Sequence, residues 1–204
     1  MASSSVTVSN CVASASVGVH IDIDVFCAKT GATISMYARS CAANLILTEP
    51  SARALVYRNG KLIVTGADTE EAVCRAMERT FMVVKDVVPL AGLSCVSVDN
   101  IVGTADLGFE INLRVAAEWM GCRVDALRWN FDSEKPERGL RFIPEDFLDG
   151  LQPLKYMPPI KVLMFGGGRV IISGAKNKAE LDATWGIVRG IAKPFDVANE
   201  QDIV

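Results

Sequence analysis

Two asparagines, Asn10 and Asn100, stand 90 residues apart and open matching stretches, "NCVASASVGVHIDI" and "NIVGTADLGFEINL". Each is followed two positions on by a valine (Val12, Val102) and eight positions on by a glycine (Gly18, Gly108). A carboxamide offers two N–H donors and a carbonyl acceptor. Groups able to make or break bonds are sparse. The one histidine, His20, sits beside Asp22 and Asp24 and reads as a surface residue ahead of a helix cap. The glycines of "FGGGR" (Phe165 to Arg169) could cradle a phosphate, but the stretch joins two strand-like segments and no helix N-terminus follows closely. No nucleophile elbow or P-loop spacing occurs. The six cysteines are scattered, without a C-x-x-C, and predict no zinc site. They read as reduced, buried small hydrophobes. The expectation is a non-enzyme with no metal and no cofactor.

A second matched pair fixes the organisation. "ALVYRNGKLIVTGA" (Ala54 to Ala67) aligns with "VLMFGGGRVIISGA" (Val162 to Ala175) at an offset of 108: Tyr57 with Phe165, Lys61 with Arg169, Ile63 with Ile171, Thr65 with Ser173. The offsets of 90 and 108 differ by 18, so the second copy carries an insertion of about that size, placed at about 119–147, where the chain is polar and turn-rich. The predicted layout is a tail over 1–9, a first repeat over 10–95, a second over 96–195 and a tail over 196–204.

Each repeat predicts an α+β arrangement. Alternating segments (Val6 to Val19, Val96 to Phe109) read as strands. A short helix follows, capped by Asp22 or Asn112, with Val25 and Phe26, or Val115, Ala116 and Trp119, turned inward. Several strands come next, with turns at Glu49-Pro50, Asn59-Gly60, Pro158-Pro159 and the Gly166 to Gly168 run. A longer amphipathic helix closes each repeat. In the first, Asp68 and Glu71 suggest a capping box; in the second, Leu181, Thr184, Trp185, Val188, Ile191 and Ala192 recur at helical spacing. In "KLIVTGA", Leu62 and Val64 should face the helices, leaving Ile63 and Thr65 on the other face, as Ile171 and Ser173 are in the twin. That face is apolar and hydroxyl-bearing and carries the aromatics Tyr57 and Phe165, which suits an interaction surface.

Composition sets the limits. Of 204 residues, half are hydrophobic and 22% charged, with a net charge of −3. That is enough for a substantial core and is not the basic body usual for a protein that neutralises phosphates. No apolar run reaches the roughly 20 residues of a bilayer span, and the N-terminus lacks the pattern of a secretory signal, so cytosol or nucleus is expected, without a membrane partner.

From about Val8 to Phe195 these features resemble the conserved core of the TATA-box-binding protein family. The N-x-V opening of each repeat, the Glu49-Pro50 turn, the G-K-x-x-x-T-G-A strand at Gly60 to Ala67 and the 90-residue spacing carry the match. The chain looks like the divergent related factors of early-branching eukaryotes such as kinetoplastids. The resemblance implies a saddle of antiparallel strands with helices on its convex side, the sheet lying on the DNA minor groove and aromatic pairs wedging into base steps. It implies DNA contacts for Asn10, Val12, Ile63, Thr65, Asn100, Val102, Ile171 and Ser173. Of four wedge positions, Phe165 is intact and Tyr57 keeps an aromatic ring; the other two read Ser40 and Leu148, with Phe147 the alternative to Leu148. Arg39, Lys61, Arg169 and Lys176 fall at or near phosphate-contacting positions, while others read Ile46, Ser51, Asp68, Leu154 and Pro159. Glu145, Asp146 and Phe147 fall where the family docks general transcription factor B.

The implied function is a nuclear transcription initiation factor. Its implied partners are promoter DNA, bound weakly when alone, general transcription factors A and B, and a small nuclear RNA gene activating complex. Self-association through the sheet is open when DNA is absent. The alternative is a scaffold of the same fold that binds only proteins, a reading the charge balance favours.

Overall fold

A computed structural model describes residues 5–37, 40–120, 124–127, 137–142 and 160–198. The chain divides into two compact units, one over Val8–Ile101 and one from Val102 onward that also takes in the described residues before Val8. The elements follow the α+β order expected. The first half runs β1 (Thr7–Ser16), α1 (Ile23–Thr30), β2 (Thr33–Tyr37), β3 (Ser40–Thr48), β4 (Ser51–Tyr57), β5 (Lys61–Ala67) and α2 (Glu70–Val87). The second runs β6 (Ser97–Asp106), α3 (Leu113–Met120), β7 (Val124–Leu127), β8 (Glu137–Phe142), β9 (Lys161–Phe165), β10 (Arg169–Ala175) and α4 (Lys178–Ala192), ending in a 3-10 turn at Lys193–Phe195. The strand order is β2-β3-β4-β5-β1 in one set and β6-β10-β9-β8-β7 in the other, the same circuit twice.

The duplication reaches down to single hydrogen bonds. Val17 N–H donates to Gly60 O and Leu107 N–H to Gly168 O, both at 2.9 Å. Ile21 N–H donates to Arg58 O at 2.9 Å, and Ile111 N–H to Gly166 O at 2.8 Å. The β4–β5 and β9–β10 turns thereby hold the chain entering α1 and α3. Gly60 and Gly168 make this approach work: φ is 82° and 85°, and a Cβ would run into the carbonyl oxygen of Val19 or Phe109.

Helix starts repeat as well. Asp22 Oδ1 accepts from the N–H groups of Asp24 and Val25, and Asn112 Oδ1 from those of Arg114 and Val115. The closing helices differ from expectation in one detail. The N-cap of α2 is Thr69, whose hydroxyl accepts from Ala72 N–H at 3.0 Å, not Asp68. A variant of the capping box belongs to α4: Asn177 Oδ1 accepts from Glu180 N–H at 2.9 Å while the Glu180 carboxylate accepts from Asn177 Nδ2 and from the N–H of Lys176, one residue before the cap.

Three expected core positions lie outside. Val25 is 46% exposed, Val115 39% and Trp119 61%, whereas Ile23 and Phe26, and Ala116, Ala117 and Met120, are buried. Each cap fixes the rotation of a helix only two turns long, and a residue one position from the buried stripe is turned about 100° away. Trp119 instead meets Phe195, ring centroids 5.5 Å apart. The cysteines also depart from the expectation of uniform burial: Cys11 is fully buried, Cys27, Cys41 and Cys74 are intermediate and Cys95 is exposed.

Ladder register locates the insertion. Ser35 pairs with Ala42, and Asp125 with Gly139, so β2 maps to β7 at an offset of 90 but β3 maps to β8 at 97. Asn44 pairs with Leu55 and Arg141 with Leu163, which brings β9 to an offset of 108. The extra residues are therefore split, seven in the β7–β8 connection and eleven between β8 and β9. The expectation of one polar insertion over 119–147 is corrected, because that stretch contains both β7 and β8.

Two stability measurements follow. Gly18 has φ 70° and nothing within 4 Å of an added Cβ, so Gly18→Ala should cost only the left-handed strain, about 1 kcal/mol. Gly60→Ala adds a backbone overlap and should cost about 2 kcal/mol more in urea unfolding; equal losses would show that the Val19 carbonyl yields freely. Separately, burial, then Glu70, Asp68 and Cys74, push the Cys11 thiol from 9.0 up to about 11. The native state holds this proton more tightly than the unfolded chain, so stability should fall as pH rises from about 9 to about 11, by about 2 kcal/mol. Cys27 and Cys74 are shifted the same way, chiefly by burial. Cys11→Val should flatten most of that alkaline loss.

Candidate nucleic-acid interface

Cα partners across an antiparallel ladder share a face, so the register arranges the first unit's helix-free face in rows. One row runs Ile46–Arg53–Thr65–Val12, the next Asn44–Leu55–Ile63–Ser14, and a third pairs Ala42 with Tyr57. The opposite face holds Ala13, Ala15, Ala43, Ala54, Val56, Leu62 and Val64, all buried, with α1 and α2 packed over it. The expected split of β5 thus holds, with Leu62 and Val64 buried and Ile63 and Thr65 half-exposed.

Asn10 is the best-defined polar group on this face. Its Oδ1 accepts from Thr65 Oγ1 at 3.1 Å and from Gly66 N–H at 2.8 Å. A backbone N–H can only donate, so the atom it meets must be the amide oxygen, and the Nδ2 donors are left outside both bonds. The reason for the repeated T-G-A lies here. β1 slips register between Cys11 and Val12, pairing Cys11 with Ala67 but Val12 with Thr65, so Gly66 forms a bulge. Its φ of 98° turns the N–H toward Asn10; Gly174 repeats it at 107°. An added Cβ at Gly66 would meet nothing closer than Ala52 Cα at 3.7 Å, so backbone conformation, not space, selects glycine.

The second unit repeats the rows in part. Ser173 pairs with Lys161, and Ile171 with Leu163, itself opposite Arg141. Val102 on β6 and Arg169 on β10 are half-exposed, as is Asn100, which falls in the first unit. The aromatics differ: Tyr57 is half-exposed, whereas Phe165 is 1% exposed and does not project as a wedge. The ladder offset places Glu137, not Leu148, at the position equivalent to Ser40. The Leu148 expectation assumed that the whole insertion precedes it. Arg39, Glu145, Asp146, Phe147 and Leu148 lie outside the described residues. Ser14, Leu55, Leu163, Arg53 and Lys161 share these rows although sequence reasoning did not single them out; the offset of 108 was the signal available. A concavity of about 490 Å³ opens elsewhere, between the β3–β4 turn and α2, beside Glu49, Pro50 and Arg79.

The model of the family described as transcription factor TFIID (or TATA-binding protein, TBP) matches residues 5–87. The TATA-box-binding protein of Archaeoglobus fulgidus is 30% identical over 84% of this chain and 86% of its own length. The chain belongs to the TATA-binding protein family. The Saccharomyces cerevisiae member is 26% identical over 86% of this chain and 66% of its own. Among solved structures, Methanococcus jannaschii TBP superposes with a TM-score of 0.68 at 23% identity, covering 94% of this chain and 99% of that one, and so shares the fold. Membership gives the chain a role in transcription initiation and an α+β fold of the family's kind, as the sequence predicted.

Asn10→Ala would leave the Gly66 N–H without its acceptor, at a cost of about 1 kcal/mol. Faster hydrogen exchange of that amide by NMR is the expected readout, and unchanged protection would show that another group holds it.

Proposed function

We propose that the chain nucleates a promoter complex by laying its helix-free sheet face on the minor groove of A·T-rich DNA in the nucleus. The orientation of Asn10 carries this reading. In the minor groove, A·T pairs present only acceptors, while G·C adds the guanine amino donor. An amide whose oxygen is already engaged by Thr65 and Gly66 meets that surface with donors. Val12, Leu55 and Ile63 around it offer no acceptor to a guanine amino group. Asn100, Val102, Ile171 and Ser173 supply the matching chemistry in the second repeat.

Binding by the isolated protein is weak in this reading. The family's cationic positions at Ile46, Ser51 and Asp68 are lost, and each missing phosphate contact reduces affinity. Of the two described aromatics, Tyr57 is the one poised to wedge. General transcription factors A and B supply the remaining affinity, the latter through Glu145, Asp146 and Phe147, and a small nuclear RNA gene activating complex is a further partner. Net charge of −3 and the burial of Phe165 favour a second reading, a scaffold that assembles proteins without reading DNA.

The test is anisotropy titration at low salt with a TATA duplex and a G·C-substituted duplex of equal length. Asn10→Asp keeps an acceptor for Thr65 and Gly66 but removes the Nδ2 donors. It should weaken TATA binding at least about tenfold, or about 1.4 kcal/mol, with thermal unfolding little changed. TATA selectivity that survives Asn10→Asp would assign the readout to groups other than Asn10, and no selectivity in the parent protein favours the scaffold.

A further inference from the structure

We infer that Arg53 and Lys161 are an equivalent pair of DNA-contacting cations set into the sheet itself, and that they take over part of the phosphate neutralisation lost elsewhere. The inference rests on the minor-groove reading above. The two residues are related by the same offset of 108 that relates Tyr57 to Phe165 and Thr65 to Ser173. Register gives them the same place: Arg53 is the Cα partner of Thr65, and Lys161 of Ser173. Each stands four residues before the repeat's aromatic, or about 13 Å along the strand. Both are exposed, between buried neighbours that face the helices: Ala52 and Ala54 for Arg53, and Val162 after Lys161. Among the described residues neither forms a salt bridge.

The surroundings favour a polyanion. On the helix-free face of β1, β3, β4 and β5 the charged residues are Arg53 and Lys61; on that of β9 and β10 they are Lys161 and Arg169. No carboxylate stands on this face of these six strands, while β8 adds Glu137 and Arg141 to it and β6 ends on it at Asp106. Nine of the chain's 24 acidic residues stand on the helices and their caps, at Asp22, Asp24, Glu70, Glu71, Glu78, Asp86, Glu118, Glu180 and Asp182. The strands that carry Arg53 and Lys161 are thus locally cationic on this face although the whole chain is net negative. A guanidinium or ammonium on a flexible stem, rising from a floor of Thr65 or Ser173, can reach into a narrow A·T minor groove, where negative potential is enhanced, or to its flanking phosphates.

The chain carrying Arg53→Gln and Lys161→Gln is titrated with the TATA duplex between about 50 and 200 mM salt. The control is Lys29→Gln with Arg189→Gln, which removes two exposed cations from α1 and α4 and changes net charge equally. Each phosphate-equivalent contact contributes a slope of about 0.9 in log K against log salt. The sheet pair should therefore lower the slope by about 1.8 and affinity at least tenfold, the helix pair should change neither, and Arg53→Lys with Lys161→Arg should restore both. Equal losses from the two pairs would reduce the effect to bulk charge and overturn the inference. An unchanged slope with TATA selectivity intact would overturn it while leaving the minor-groove reading standing. No duplex binding by the parent protein at 50 mM salt would overturn both.

Discussion

One backbone residue, Gly66 at φ 98°, decides what the sheet presents. Were β5 regular, the N–H at position 66 would point along the ladder, and Asn10 could turn either end of its amide outward. The bulge supplies a donor that can meet only oxygen, and the Thr65 hydroxyl adds a second at the same atom. Orientation is thus settled before any ligand arrives, so less rotamer freedom is lost on binding. A carboxamide is a symmetric-looking group with opposite chemistry at its two ends, and fixing it decides which end this face presents.

That bulge can be held in place because the turns around it are shared. The Gly60 carbonyl receives the Val17 N–H and the Arg58 carbonyl receives the Ile21 N–H, so the β4–β5 turn also anchors the exit of β1 and the start of α1. The second copy repeats both bonds at Gly168 and Gly166 although the turn residues differ, Tyr57-Arg58-Asn59-Gly60 against Phe165-Gly166-Gly167-Gly168. What is kept is the residue with φ near 80°, the one place where a side chain would strike the neighbouring backbone. The duplication is therefore one of hydrogen-bond geometry more than of residues.

Much of this was legible in the sequence. Alternation in "KLIVTGA" and its twin assigned the two faces of β5 and β10, and Asp22 and Asn112 announced their helices. What failed depended on information that is not local. Asp68 and Thr69 are both good caps, and the choice falls to the residue whose backbone is extended at the helix start: Thr69 has φ −141° and ψ 157°. Trp119 invites burial by size, yet the Asn112 cap sets the rotation of α3 and leaves it to meet Phe195. The split of the insertion needed the pairing of β7, β8 and β9, which no local pattern states. Arg53 and Lys161 were missed for a different reason. They stand one residue before the segments in which the repeat is most obvious, and only the ladder shows that they belong to the same rows as Thr65 and Ser173.

The two halves of the face are not energetically alike. Tyr57 is half-exposed, so bringing its ring against a base step begins from a position already near solvent. Phe165 is 1% exposed, and withdrawing it from its site gives up about 1.5 to 3 kcal/mol of apolar burial before anything is gained from DNA. A wedge must also unstack a base step, which itself costs a few kcal/mol. Distortion at the Phe165 end therefore needs compensation that the Tyr57 end does not. A protein partner that stabilised the displaced position of Phe165 would lower that cost without touching DNA. On the minor-groove reading a division of labour would follow, the first repeat engaging the duplex on its own terms and the second once something else holds its aromatic out.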